Sequence, residues 1–294
     1  MLEEKRITIF TPTYNRESTL PRLYQSLCRQ TVSDFYWLLI NDGSIDNTET
    51  LVKGWQLEEK IQIVYFYQEN SGKANAHNAA VKYADTELFL CVDSDDYLVD
   101  NAVKRILEYW EENKNSTGIL ALRGDRSGQP ITKWESTVKY ATLLEATRIY
   151  GLRGDTMLVF RTEILKKYFF PVFQGERFVP ESYLYDQIDL EGKLHILPEV
   201  LYLCEYRPDG YTANIRKVNC NNPNGYLAYI QQRLKLDKEI KYKIADTIRY
   251  IGIKCVQKDG RLLKDTIYPK LTILFLGIGW LFYIKVYWRF TRKW

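Results

Sequence analysis

A chain of 294 residues, 46% hydrophobic and 27% charged, is long enough to bury one large core or two modest ones, and its composition excludes a low-complexity chain. Its five Cys show no C-x-x-C pair or metal spacing, which argues against a cysteine metal centre and suits a reducing compartment. The net charge of +4 hides an asymmetry: residues 261–294 carry seven basic residues against one acidic, so the rest of the chain is slightly acidic.

Met1–Arg6 is highly charged and does not read as a secretory signal. Arg6–Thr11 reads as a first strand, followed by a helix from about Ser18 with Leu20, Leu23 and Leu27 on one stripe. Phe35–Ile40 is a second strand, with a short helix near Thr48–Gln56. Ile61–Tyr67 is a third strand, and Ala74–Ala84 a helix. Leu88–Val92 is a fourth strand, then a helix covers Val103–Glu112, and Gly118–Leu122 reads as a fifth strand. Strand–loop–helix repeated four times predicts an α/β protein with a mostly parallel, doubly wound sheet. Beyond it, Leu194–Leu197 and Val200–Glu205 resemble short strands, and residues 226–256 are helical in pattern.

The polar residues collect where the strands end. Asp93-Ser94-Asp95-Asp96 is the clearest case, because it follows an apolar run of the kind buried on both faces of a sheet. Such a place is the carboxyl edge, where α/β folds seat their ligands. Carboxylates spaced D-x-D at a turn can hold a hard divalent cation, and the cation can hold a diphosphate. The plainer reading is an acidic turn capping the next helix.

Four strand ends resemble those of family-2 glycosyltransferases. They are Thr11-Pro12-Thr13-Tyr14-Asn15-Arg16, Asn41-Asp42-Gly43-Ser44-Ile45-Asp46-Asn47-Thr48, Asn70-Ser71-Gly72-Lys73-Ala74 and Val92-Asp93-Ser94-Asp95-Asp96. Weaker likeness runs through Gly154-Asp155 and Val179-Pro180-Glu181 to Glu205-Tyr206-Arg207-Pro208-Asp209-Gly210. The resemblance implies a GT-A fold and inverting transfer of a sugar from a nucleotide diphosphate sugar, usually UDP-linked, to a glycan or lipid-linked glycan. It implies that Pro12, Tyr14 and Arg16 border the nucleotide, that Asp42 accepts from the uracil imide, and that Lys73 lies near the ribose or diphosphate. Asp93 would approach the ribose beside Ser94, and Asp95 would ligate Mn²⁺ or Mg²⁺. Two domains are expected. The transferase domain covers 1–215, with its nucleotide-binding segment over 1–100 and its acceptor segment over 101–215, and a helical extension covers 216–294.

The residues themselves allow plainer roles. Asp42 could stabilise its loop as an Asx-turn, Lys73 could be a solvated helix-start lysine, and Tyr14 could pack under its loop. His77 shares a helical face with Lys73 and either reaches the diphosphate or is a helix-surface histidine. His195 reads as structural. Inverting transfer needs a carboxylate base, and the family's usual Glu-Asp pair reads here as Glu181-Ser182. Glu181 is the chosen base, with Asp186 as the alternative and Asp155 lining the acceptor or donor pocket.

Leu271–Ile284 runs fourteen residues without a charge, short of the roughly twenty a spanning helix needs. With Trp280, Tyr283, Tyr287, Trp288 and Trp294 beside Lys285, Arg289, Arg292 and Lys293, it reads as a helix lying in an anionic leaflet. The expected location is the cytoplasmic face of the cell membrane, with 269–294 as the associating segment. The other reading is a core or dimer helix, which leaves a homo-oligomer open; no nucleic-acid partner is expected. Rival functions are a sugar nucleotidyltransferase, which would want a Gly-rich basic first loop, and a non-catalytic nucleotide-sugar-binding or membrane scaffold protein.

Overall fold

The computed structural model describes residues 5–205, 211–258 and 260–291. They form two compact units: one runs to Phe169 and resumes over Leu184–Glu205, and the other takes Phe170–Tyr183 and the later helices.

The first unit opens with the expected repeat: β1 (Ile7–Thr13), α1 (Leu20–Cys28), β2 (Phe35–Asp42), α2 (Thr48–Glu58), β3 (Ile63–Gln68), α3 (Lys73–Tyr83) and β4 (Leu88–Cys91). It continues through β5 (Tyr97–Leu98), α4 (Ala102–Glu111), β6 (Gly118–Gly124), β7 (Tyr140–Ala141), α5 (Leu143–Arg148), β8 (Thr156–Arg161) and α6 (Thr162–Leu165). After α7 (Ser182–Ile188), β9 (Leu194–Leu203) completes one sheet of order β3-β2-β1-β4-β8-β6-β9-β5, with β7 also on β9. Strands β1 to β4 are parallel, as their apolar runs predict; all eight residues of β2 are buried. Strand β8 then inserts antiparallel between β4 and β6, so the sheet is mixed.

Several boundaries shift by a residue or two from the sequence pattern, and two differences bear on the site. Strand β2 extends to Asp42 because its ladder with β3 continues to the pair Asp42↔Gln68. The two short strands expected over 194–205 are one strand, β9. Its register against β6 jumps from Ala121↔Leu197 to Leu122↔Val200, so Pro198 and Glu199 bulge out. Proline cannot donate to the ladder, and a bulge is where a strand tolerates it.

Leu20, Leu23 and Leu27 of α1 lie in the main core, as their spacing predicts. Aromatic residues make up 14% of the chain, and several pack there: Tyr24 stacks on Trp55 at 4.4 Å between ring centres, and Trp37 lies 6.0 Å from Trp55. His195 stacks on Tyr140 at 4.1 Å and keeps its structural reading.

The second unit is helical: α8 (Tyr211–Asn221), α9 (Pro223–Leu236), α10 (Ile240–Gln257), α11 (Pro269–Leu274), α12 (Leu276–Val286) and α13 (Trp288–Thr291). Ile230 and Leu234 of α9 pack with Tyr250 and Ile251 of α10. Helix α12 lies close on α10, where a Cβ on Gly279 would come within 2.5 Å of Ile251. Tyr283 and Tyr287 face inward, whereas Ile273, Leu274, Ile278, Trp280 and Leu281 are exposed. No helix among the described residues is long and apolar enough to cross a membrane. Tyr206-Arg207-Pro208-Asp209-Gly210 and the tail residues Arg292, Lys293 and Trp294 lie outside the described residues.

Candidate functional site

The sheet direction gathers the site. Strands β1 to β4 are parallel, so Tyr14, Asp42, Lys73 and Asp93 follow the same edge. Because β8 runs antiparallel to β4, Asp155, just before β8, comes to that edge as well. Strands β6 and β9 are parallel to each other and antiparallel to β8, so Arg123 and Tyr202 end there too.

Three loops at this edge are tied together. After β1, Asn15 sits in the left-handed region at φ 52°, a conformation Asn tolerates. Its backbone N–H donates to Ser44 Oγ at 2.9 Å, and its side-chain oxygen accepts from the Ile45 N–H at 2.9 Å. The Arg16 N–H donates to Thr48 Oγ1 at 3.2 Å. Tyr14 is left 44% exposed, so it is free to meet a ligand rather than packed under its loop. Pro12 is half-buried within β1.

Asp42 joins the second loop to the third. Its Oδ1 accepts from Gln68 Nε2 at 2.7 Å and the Ser71 N–H at 2.9 Å, and its Oδ2 accepts from the Gly72 N–H at 2.8 Å. The carboxylate is buried, and it clasps a neighbouring loop rather than closing an Asx-turn in its own. Gly43 allows the close approach: at φ 82°, a Cβ there would lie 2.8 Å from the Asn70 nitrogen.

The acidic turn follows β4. Lys73, the first residue of α3, donates to Asp93 Oδ1 at 2.5 Å, so its ammonium is paired while the side chain stays partly exposed. Burial works against the Asp93 charge, but Lys73, Arg123 and Arg16 outweigh it and hold its pKa below the usual carboxylate range. Asp96 is buried and takes the opposite course. Burial and the Asp93 charge push its pKa up to about 7, against Arg123 3.8 Å away and a hydrogen bond from the Tyr202 hydroxyl at 2.8 Å. Ser94 is buried within the turn. The Asp95 carboxylate is half-buried and has no hydrogen bond or ion pair among the described residues. Its backbone oxygen accepts from Arg22, whose guanidinium lies over the Tyr97 ring at 4.7 Å.

No three His, Cys, Asp or Glu side chains converge as a metal cluster among the described residues. Among the described residues, then, no protein-only cage is built. One unengaged carboxylate suits a cation whose other ligands are diphosphate oxygens and waters, the usual arrangement for Mg²⁺.

His77 is not a helix-surface residue. It lies one turn below Lys73, edge-on to Phe10 and Phe89 at 5.7 and 5.5 Å, and burial lowers its pKa to about 3. Glu181 is exposed just before α7, whereas Asp186, within that helix, is buried. Asp155 is exposed. Arg123, Tyr202 and Gln68 join the site from outside the strand-end motifs of the sequence. The signal was the rule that polar residues end strands, since Arg123 directly follows the fifth strand expected over Gly118–Leu122.

The model of the family described as "Glycosyl transferase family 2" matches residues 8–169, more than half of the chain. The chain belongs to glycosyltransferase family 2. Among relatives of this family-2 chain is the poly(ribitol-phosphate) beta-N-acetylglucosaminyltransferase TarS of Staphylococcus aureus, 27% identical over 164 residues, covering 55% of the chain and 28% of TarS. Another is the minor teichoic acid biosynthesis protein GgaB of Bacillus subtilis, 29% identical over 117 residues, covering 39% of the chain and 13% of GgaB. The chain thus spans less than a third of the length of these curated relatives. A crystal structure of S. aureus TarS 1–349 in complex with UDP-GlcNAc superposes with a TM-score of 0.64 at 21% identity, covering 93% of the chain and 80% of TarS 1–349. A mannosyltransferase from Pyrobaculum calidifontis, solved with GDP-Man and Mn²⁺, gives 0.60 at 15% identity, covering 99% and 84%. The fold is that of the GT-A glycosyltransferases.

Proposed function

We propose that the chain transfers a sugar from a UDP-sugar to a glycan or lipid-linked glycan, with inversion, during surface polysaccharide synthesis. The observation that carries this reading is the division of labour among the carboxylates of one sheet edge. Asp42 is fixed between two loops, Asp93 is paired with Lys73, Asp96 is buried against Tyr202, and the Asp95 carboxylate has no hydrogen bond or ion pair among the described residues. The relatives solved with UDP-GlcNAc and with UDP support a uridine donor, and the mannosyltransferase solved with Mn²⁺ supports a divalent cation.

In this reading Asp42 Oδ2, which accepts one hydrogen bond from Gly72, accepts a second from the uracil imide. Tyr14 and Arg16 border the nucleotide beside Pro12. Lys73 lies between Asp93 and the diphosphate and neutralises charge on the departing nucleotide. Asp95 would hold Mn²⁺ or Mg²⁺, which supplies further neutralisation of the leaving group. Ser94 shapes the turn, Asp155 lines the pocket, and His77 supports the loops from beneath as a neutral ring. Glu181 takes the proton of the attacking hydroxyl, since an exposed carboxylate can meet an acceptor and the buried Asp186 is the poorer candidate. Residues 1–215 act as the transferase domain and 216–294 as its helical extension.

The outward apolar residues of α11 and α12, flanked by Lys270, Lys285 and Arg289, would lie on the anionic cytoplasmic leaflet. Helix α12 has eleven residues, about 16 Å, against the roughly 30 Å of a hydrocarbon core, so it would rest on the leaflet rather than span it. Family membership favours sugar transfer over nucleotidyl transfer or a scaffold role. Thermal shift against a panel of nucleotide sugars with and without Mn²⁺ tests the proposal. Selective, metal-enhanced stabilisation by uridine donors is expected; stabilisation by none of them would overturn it.

A further inference from the structure

The turn that carries Asp95 is held by a side chain from the far end of the chain's sheet. Tyr202, near the end of β9, is fully buried. Its hydroxyl oxygen accepts from the Asp93 N–H at 2.9 Å, and its proton goes to Asp96 Oδ2 at 2.8 Å. One hydroxyl thus joins the first and last residues of the four-residue turn. The turn is also closed by its own backbone, with the Asp96 N–H donating to the Asp93 carbonyl at 3.0 Å. Strand β5, which follows at once, pairs with β9 through Leu98↔Tyr202, so the backbone beyond the turn is anchored to the same residue. The Arg123 guanidinium lies over the Tyr202 ring at 4.0 Å, fixing the ring that aims the hydroxyl.

These contacts use the Asp93 amide and the Asp96 carboxylate, and leave the Asp95 carboxylate unengaged. We infer that Tyr202 is a positioning residue: its hydroxyl sets the orientation in which the Asp95 carboxylate is presented to a cation-bound diphosphate. The inference rests on the proposed uridine donor. A phenylalanine would fill the same space and keep the stacking on Arg123. It would leave the Asp93 N–H without its acceptor and the Asp96 carboxylate without its donor. The uracil end of the site, around Asp42, does not touch this hydroxyl. Its loss should therefore separate cation-dependent from cation-independent binding.

The test is calorimetric titration of the full chain with UDP, in EDTA and across a series of Mn²⁺ concentrations, comparing wild type with Tyr202→Phe. In EDTA the two should bind UDP within about twofold. The Mn²⁺ concentration giving half of the metal-enhanced affinity should rise about 10- to 100-fold in Tyr202→Phe, the usual effect of losing a group that orients a ligand. Asp96→Ala should raise it too, and the double variant should be no worse than the weaker single, because both remove one connection. An unchanged Mn²⁺ midpoint in Tyr202→Phe overturns the inference. So does an equal loss of UDP affinity with and without metal, or loss of cooperative unfolding, since either makes the hydroxyl a general structural tie. If wild type itself shows no Mn²⁺-enhanced UDP binding, the donor reading fails and this inference falls with it.

Discussion

Asp42 has two roles that one substitution disturbs together, and nucleotide choice separates them. Asp42→Ala removes the acceptor of the Ser71 and Gly72 amides and of the Gln68 side chain, at 2.9, 2.8 and 2.7 Å. Hydrogen bonds to a charged group are worth roughly 1.5–3 kcal/mol each, and some of this is recovered as the loop meets water, so a stability loss of about 2–4 kcal/mol is expected. Urea unfolding reads it as a lower midpoint at unchanged slope. Binding should fall as well. A lost imide contact worth roughly 1.5–3 kcal/mol weakens UDP about 10- to 150-fold. Loop loosening alone would weaken any nucleoside diphosphate, so CDP is the control, because cytosine lacks the imide N–H. Wild type should prefer UDP over CDP at least about tenfold, and the preference should collapse toward one in Asp42→Ala. Asp42→Asn should do no better, since its amide N–H must face either the Gly72 donor or the Gln68 and Ser71 donors. A UDP-over-CDP preference that survives in Asp42→Ala would refute the imide contact and leave Asp42 as a loop clasp alone.

Three further outcomes follow from the structure. His77 is held neutral in the folded chain down to about pH 3 but protonates near 6.5 when unfolded, so the unfolded state binds more protons between these values. Its contribution to stability is present above about pH 6.5 and is lost as pH falls, by at most about 1.4 kcal/mol per pH unit; the stability gap between wild type and His77→Leu should shift by that slope in urea melts at pH 7 and pH 5. Glu181→Gln should lower turnover about 10²–10⁴-fold with donor affinity unchanged, and a crippling Asp186→Asn beside a mild Glu181→Gln would reassign the base. Replacing the exposed Leu274 and Leu281 by Gln should reduce flotation with phosphatidylglycerol vesicles while leaving thermal unfolding unchanged, and wild-type flotation should weaken with salt; a large drop in melting temperature would instead make this face belong to a protein core or dimer.

Much of the site was legible because the chain repeats one supersecondary unit. Each apolar run ends at the same edge, so Tyr14, Asp42, Lys73 and Asp93 to Asp96 fall together on the pattern alone. What periodicity could not show lies beyond β4. Strand β8 reverses direction, which no local pattern announces, and it brings Asp155 to the edge. Pro198 breaks the hydrogen-bond ladder of β9, so one strand reads as two. A tyrosine in an apolar run reads as core, and Tyr202 is core, with a buried hydroxyl that holds two partners. The burial of His77 is hidden from the sequence for a related reason. Helical spacing puts it on the Lys73 face, but one turn further along that face reaches the Phe10 and Phe89 rings rather than the edge. The Asp42 clasp was hidden because it joins loops twenty-nine and thirty residues apart.

Metal-assisted release of UDP from a uridine diphosphate sugar at this edge is tested most directly by initial UDP release by the full chain. Wild type and Asp95→Ala are compared across uridine diphosphate sugars, with Mn²⁺ and with EDTA. Mn²⁺-dependent release from at least one donor is expected of wild type, and none from a folded Asp95→Ala. Release that is unchanged in Asp95→Ala, or no release from any uridine donor, would contradict it.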